Sequence, residues 1–228
     1  MALKKCRLRV RNKSLGLALP RLLRPSQRTA MMRLGSDYGG WWVPSDLIGP
    51  ASNCLLAGAG VDITFDLALI DRFNCDLVSV DPTPRAIAHV ASVTTDEKKY
   101  RFLPVGLSDS DGTASFAAPN NDRHVSHSMT DLQRSGRIGF EAEVRSVPSL
   151  MKEFGFQELD LLKIDIEGAE YLVLESLLSH KIFPRILCVE FDQPAPLFKT
   201  LRMVRRLKAV GYRVAKAEHF NVTFLHER

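Results

Sequence analysis

The chain has 228 residues, 45% of them apolar, and a formal charge of +5, enough for one globular α/β domain with an appendage. No run approaches the roughly 20 apolar residues of a membrane span, and the opening residues lack the compact apolar block of a secretory signal, so a cytoplasmic protein is expected. The cysteines at 6, 54, 75 and 188 show no paired metal spacing and three lie in apolar segments, which indicates neither zinc nor disulfides.

The charge is unevenly placed. Residues 1–34 hold ten Lys or Arg and no acid, whereas from Gly35 onward 21 basic residues face 26 acidic ones. The expected organisation is a basic N-terminal arm, 1–34, on a mildly acidic body, 35–228. Such an arm suits solvation, an anionic membrane surface, nucleic acid or organelle targeting.

Within the body, strand and helix alternate. Ser52 to Ala59 is a short apolar run ending in glycines, and Asp62 to Phe73 then carries apolar residues on one helical face. Cys75 to Asp81 reads as a second strand, followed by a helix opening on Pro82 and Pro84, tolerated in a first turn. Tyr100 to Ser108 supplies a third strand closed by a turn-rich DSDG. TASFAA and FEAEVRSV read as antiparallel ribbons around a long polar loop. A helix near Val147 to Phe154, the strand LDLLKID, a helix from Gly168 to His180, the strand Arg185 to Asp192, a helix around Leu197 to Val210 and two last strands complete the chain. Nearly continuous apolar strands separated by helices predict a doubly wound, mostly parallel sheet with helices on both faces and an antiparallel edge hairpin.

Ligands in such sheets bind beyond the carboxyl ends of the strands. The first strand ends on Gly58, Ala59 and Gly60, the second on Asp81 and Pro82, the third on Ser108 and Asp109, the fourth on Asp165, and the fifth carries Glu190 and Asp192. Glycines permit close backbone approach to a ligand, and an acid 21 residues after Gly60 is placed to accept from ribose hydroxyls. Together these describe a nucleoside site. Ile63 stands where a dinucleotide fingerprint wants a small residue, and Asp62 would repel a pyrophosphate on the helix start. A cofactor without phosphates, S-adenosylmethionine, fits better.

LLKIDIEGAEYLVLESLL followed by ILCVEFD, with LGSDYGGWWVP, GAGVDITFDLAL, VDPTP and PVGLSDSDGT ahead of them, closely resembles the blocks of FkbM-type methyltransferases, a branch of the class I S-adenosylmethionine-dependent enzymes. The resemblance covers roughly Leu34 to the end and implies a Rossmann-like, seven-stranded fold. It implies that Gly58, Gly60, Asp81 and the backbone near Ser108 and Asp109 hold the cofactor with Asp165 at its methionine end, and that a hydroxyl on a sugar or other small molecule is methylated. Many family members have an acid two residues before the first glycine and a glycine at position 62; here Leu56 and Asp62 stand there, and Asp62 offers a replacement carboxylate from the loop.

Methyl transfer to oxygen needs aligned partners and a base. The candidate catalytic residues are Asp165, Glu190 from the adjacent strand, and His127, with His124 beside it in the polar loop. His124, His127 and Asp122 also have the spacing of a partial metal set, but no third ligand is evident locally and no metal is expected. Glu167 and Glu170 read as acids of a helix first turn, and Tyr38, Trp41 and Trp42 as packing aromatics or pocket walls. Two other readings stand beside this one: an NAD-dependent oxidoreductase, and an inactive methyltransferase-fold module that binds through its basic arm. No Asn-Pro-Pro-Tyr-like tetrapeptide follows the fourth strand, so nucleic acid is not the expected substrate; neither acceptor identity nor oligomeric state is readable.

Overall fold

A computed structural model describes residues 16, 18–25, 29–93, 99–118, 129, 137–191 and 196–227. In chain order the elements are α1 (18–22), β1 (Met31–Leu34), β2 (Trp41–Pro44), β3 (Asn53–Ala57), α2 (Thr64–Phe73), β4 (Asp76–Val80), α3 (Pro84–Ser92), β5 (Tyr100–Leu103), β6 (Gly106–Ser108), β7 (Gly112–Ala117), β8 (Ile138–Ser146), α4 (Val147–Phe154), β9 (Leu161–Ile164), α5 (Glu170–His180), β10 (Ile186–Glu190), α6 (Leu197–Ala209), β11 (Tyr212–Glu218) and β12 (Asn221–His226). None of the described helices is long and apolar enough to cross a membrane.

The main sheet has seven strands in the order β11-β12-β10-β9-β3-β4-β5. All neighbours from β10 to β5 are parallel, and β12 runs antiparallel to both β10 and β11. Period-two alternation feeds two core clusters, one per face. Leu55, Val78, Leu162, Leu187 and Phe224 pack with α4, α5 and α6; Cys54, Leu56, Leu77, Leu161, Ile186 and Cys188 pack with α2, α3 and β2. Cys54, Cys75 and Cys188 are buried free thiols. The doubly wound, mostly parallel seven-stranded sheet is the expected fold.

Two local expectations change. The apolar run Tyr100 to Ser108 is not one strand: it breaks at Pro104, and its second half, β6, leaves the main sheet to pair with β8 in a three-stranded sheet ordered β6-β8-β7. Inside the segment expected as an arm, β1 pairs antiparallel with β2, and Leu19 and Leu23 are 1% and 3% exposed in the core. Fold-forming structure is therefore present well before Gly35. The first fifteen residues of that segment, with six of its basic residues and Cys6, lie outside the described residues.

Candidate functional site

The carboxyl ends of β3, β4, β9 and β10 enclose a cavity of about 270 Å³ lined by Gly58, Gly60, Asp62, Asp81, Lys163, Asp165, Glu167 and Glu190, with Tyr38, Trp41 and Asn221 at its walls. A narrower cleft of about 60 Å³ adjoins it across Gly58, Asp81 and Asp165, and is walled by Val80, Pro82, Leu107, Phe116 and Ile166. The sheet thus gathers the acids that end the second, fourth and fifth parallel runs, together with the glycine turn, at one place.

The glycine turn is dictated by its own chain. Gly58 has φ +90°, and a Cβ there would lie 1.8 Å from the carbonyl oxygen of Asp165, so the close approach that excludes a side chain is to β9 as well as to any ligand. Gly60 has φ +56° with open space where a Cβ would project. Asp81 fixes this turn: Oδ2 accepts from Gly60 N at 2.9 Å, and Oδ1 accepts from Thr83 N and Thr83 Oγ1 at 2.8 and 2.7 Å. Thr83 in turn caps α3 by accepting from Ala86 N. A carboxylate offers about four acceptor sites, so Asp81 retains capacity for one more donor.

Asp62 is also committed. It accepts from Ser36 Oγ, from Thr64 N at 3.0 Å and from Thr64 Oγ1 at 2.6 Å. Burial acts to raise its pKa, but these donors and Gly39 N outweigh it and hold the carboxyl below its ordinary value. Ser36 Oγ further accepts from Tyr38 N and Gly39 N at 3.1 and 2.9 Å, so Asp62 anchors the turn that carries Tyr38 over the cavity. Leu56 is 1% exposed and belongs to the core, not the cavity.

On the opposite wall Lys163, buried within β9, donates to Gly58 O at 2.8 Å and pairs with Asp165 Oδ2 at 3.1 Å. Burial raises the Asp165 pKa, but Lys163 and hydrogen bonds from Glu190 and Lys163 prevail and keep it ionised below the usual carboxylate range. Glu190 moves the other way: the Asp165 charge, burial and the hydrogen bond to Asp165 push its carboxyl well above its ordinary value. The two carboxyls therefore lose their protons in separate steps, Asp165 at lower pH and Glu190 at higher pH, because each negative charge opposes the other. Tyr38, beside Asp165, Glu167, Glu190 and Asp62, has its phenol raised by burial first and by those charges next.

Of the remaining expected site residues, Ala59 lines the cavity and Pro82 the cleft. Ser108 and Asp109 line neither; Gly106 and Leu107 of the same strand wall the cleft instead. Ser108 Oγ bonds Asp109 Oδ1, and Asp109 O accepts from Ser176. His127, with His124, Asp122 and Asp192, lies outside the described residues. Glu170 is buried and accepts from Gly168 N at 2.7 Å as a first-turn acid, while Glu167, at φ +56°, faces the cavity. Trp41 lies 5.9 Å from the Lys163 ammonium, and Trp42 turns away to Glu218 and Lys216.

Two buried ionisable groups near the site escaped the sequence reading. Lys163 sits two residues before Asp165, and strand alternation alone puts both on one face; a lysine inside an otherwise apolar strand was the available signal. Asp66 reads as an ordinary first-turn acid, yet it is 3% exposed, accepts from Ser79 Oγ at 3.0 Å, and is pushed up by burial to about 6 against the pull of Lys163.

Residues 58–214 match the model of the methyltransferase FkbM domain. No curated protein matches. Among solved structures, an rRNA methylase from Streptococcus thermophilus is 8% identical with a TM-score of 0.46, covering 81% of this chain and 92% of that one. Aeropyrum pernix fibrillarin in complex with natively bound S-adenosyl-L-methionine is 10% identical with a TM-score of 0.42, covering 89% and 86%. Methanococcus jannaschii fibrillarin, a pre-rRNA processing protein, is 12% identical with a TM-score of 0.42, covering 78% and 66%.

Proposed function

This chain belongs to the FkbM methyltransferase family, and on that premise we propose that it transfers a methyl group from S-adenosylmethionine to a hydroxyl oxygen of a sugar or other small molecule. The observation that carries the reading is the lining of the cavity: five carboxyl side chains and one ammonium, the latter already engaged by Gly58 O and Asp165.

The residues fit that cofactor. A ligand bearing an ammonium and a sulfonium is attracted by such a wall, whereas the pyrophosphate of a nicotinamide dinucleotide would meet several ionised carboxylates at short range. The open space above Gly60 admits a ligand against bare backbone, Asp81 keeps an acceptor site for a ribose hydroxyl, and the apolar cleft of Val80, Pro82, Leu107, Phe116 and Ile166 suits a flat ring. Asp165, Glu167 and Glu190 would face the methionine end. When bound, the cofactor supplies an electrophilic methyl on cationic sulfur.

The chain's own part is to orient the acceptor and take its proton. Lys163 keeps Asp165 ionised, and Asp165 in turn raises Glu190. Glu190 is thus a carboxyl whose pKa moves toward the range where a general base works best near neutrality. Once ionised it accepts the hydroxyl proton, with Asp165 remaining charged beside Lys163. Calorimetry tests the cofactor half of this reading: S-adenosylhomocysteine is expected to bind and NADH not to. NADH binding without S-adenosylhomocysteine binding would overturn it.

A further inference from the structure

Asp66 is a buried acid that the cavity does not use. It is in the first turn of α2, almost without exposure, and lines neither the cavity nor the cleft. Burying an ionisable carboxyl is costly unless donors and an opposite charge reach it. The donor is Ser79 Oγ, at 3.0 Å from Asp66 Oδ2, and the cation acting on it is Lys163.

Strand register explains how the two meet. Lys163 of β9 is level with Leu56 of β3, and Leu56 is level with Ser79 of β4. Level side chains on parallel neighbours share a face, and Leu56 packs on the face that α2 covers. Asp66 therefore descends from α2 onto one end of a row, Ser79, Leu56, Lys163, whose backbones span two strand spacings, or roughly 10 Å. Leu56 brings no charge between the ends. At the far end Lys163 Nζ donates to Gly58 O at 2.8 Å and pairs with Asp165 Oδ2 at 3.1 Å. One buried ammonium thus stands between a carboxyl behind it, Asp66, and a carboxylate in front of it, Asp165.

The strands packed against α2 include β1, β4 and β5. From β1, Arg33 is turned to Ser36 O, Asp37 and Glu218. From β5, Arg101 lies over the rings of Phe154 and Phe156, while Tyr100 is a phenol kept protonated by burial first and by the Asp66 charge next. β4 supplies Ser79, and Asp62, in the loop before α2, adds a like charge. Glu190, for its part, faces Asp165, Glu167, Lys163 and Tyr38. Lys163 is thus a group that faces both Asp66 and Glu190. An ionised Asp66 offsets part of the ammonium's positive potential at Asp165 and Glu190; a neutral one leaves that potential whole.

We propose that Asp66 is a positioning residue that acts through Lys163: it holds the buried ammonium between two carboxyl groups and offsets part of its charge, which decides how readily Glu190 releases its proton. The bearing of this coupling on catalysis rests on the reading of Glu190 as the base; the coupling itself does not.

The test is NMR of the full chain labelled at the Asp and Glu carboxyl carbons and the Lys ammonium nitrogens, titrated with pH beside kcat/KM. Asp66→Asn keeps an acceptor for Ser79 Oγ and removes the charge, so the Glu190 carbon should titrate about half a pH unit or more lower, and the rising limb of activity should move with it. Asp66→Glu keeps the charge and should leave both near their wild-type positions. A Glu190 titration unmoved in Asp66→Asn, or moved equally in Asp66→Glu, would overturn the proposal. The wild-type chain carries a second test that needs no substitution: the Asp66 carbon should titrate at about 6, and the Lys163 nitrogen signal should move through the same pH range. A Lys163 signal flat across that range would also overturn it. A Glu190 titration that moves while the activity limb stays in place would take the base away from Glu190 and uphold the coupling. Coupling in a chain that does not bind S-adenosylhomocysteine would overturn the methyltransferase reading alone.

Discussion

On the glycine-turn side of the cavity, Asp62 and Asp81 take their hydrogen bonds from backbone N–H groups and hydroxyls of Gly60, Thr64, Thr83 and Ser36. On the β9–β10 side, Asp165 and Glu190 bond to each other, and Asp165 pairs with a buried ammonium. The side chains are chemically alike and stand at the same sheet edge, yet the partners give them different work. Donors that never titrate turn a carboxylate into a fixed strut. A second carboxyl as partner leaves a proton that can move.

Replacing Glu190 by Gln should break this contrast most deeply. The variant keeps a hydrogen-bond donor toward Asp165 and loses the proton-accepting form, so methyl transfer should fall by about 10²- to 10⁴-fold, measured as kcat/KM against pH with the wild-type acceptor. Because the Glu190 carboxyl is raised in the folded protein, wild-type activity should climb with pH through a limb above the ordinary glutamate range, and the variant should lack that limb. Stability carries the opposite sign: the folded state binds the Glu190 proton more tightly than the unfolded chain, so unfolding free energy should decline as pH rises from the ordinary glutamate value toward the raised one. Urea titrations of the Gln variant should not show that decline. An unchanged pH profile would move the base elsewhere.

The Asp81→Ala variant probes the strut side. It removes acceptors for Gly60 N and Thr83 as well as the site left for a ribose hydroxyl, and S-adenosylhomocysteine affinity should fall by roughly 1.5–3 kcal/mol in calorimetry. The shape of the pH profile should survive, since the β9–β10 wall is intact. Full affinity in this variant would show that Asp81 serves the turn alone.

Much of this site was legible because strand ends are legible. Apolar runs stopping on Gly58, Asp81, Asp165 and Glu190 locate the edge where a doubly wound sheet binds ligands, and all four residues line the cavity. What a linear reading loses is pairing. Ser108 and Asp109 follow an apolar run like the others, but Pro104 interrupts it and β6 pairs with β8, which carries both residues off the cavity. Leu19 and Leu23 lie in an acid-free, basic segment whose composition reads as an appendage, although their side chains fill the core. Lys163 hides for a related reason: a lone cation in a strand has meaning only once Gly58 O and Asp165 are seen around it.

The smallest expected effect comes from the join between the strut side and the cavity mouth. Ser36 Oγ donates to Asp62 and accepts from Tyr38 N and Gly39 N, while Ser36 N donates to Thr64 Oγ1 at 2.8 Å. In Ser36→Ala the backbone bond to Thr64 persists, and Arg33 still donates to Ser36 O and Asp37 O, so the turn should stay closed and stability should drop by about 1 kcal/mol in urea titration. Tyr38 then loses the anchor of its own N–H. Since Tyr38 walls the cavity from the Asp62 turn and the shared proton lies between Asp165 and Glu190 on the other wall, acceptor KM should rise a few-fold with kcat and S-adenosylhomocysteine affinity nearly unchanged. A loss in kcat of the size expected for Glu190→Gln would instead join the Tyr38 turn to the proton-transfer side and erase the distinction between the two walls.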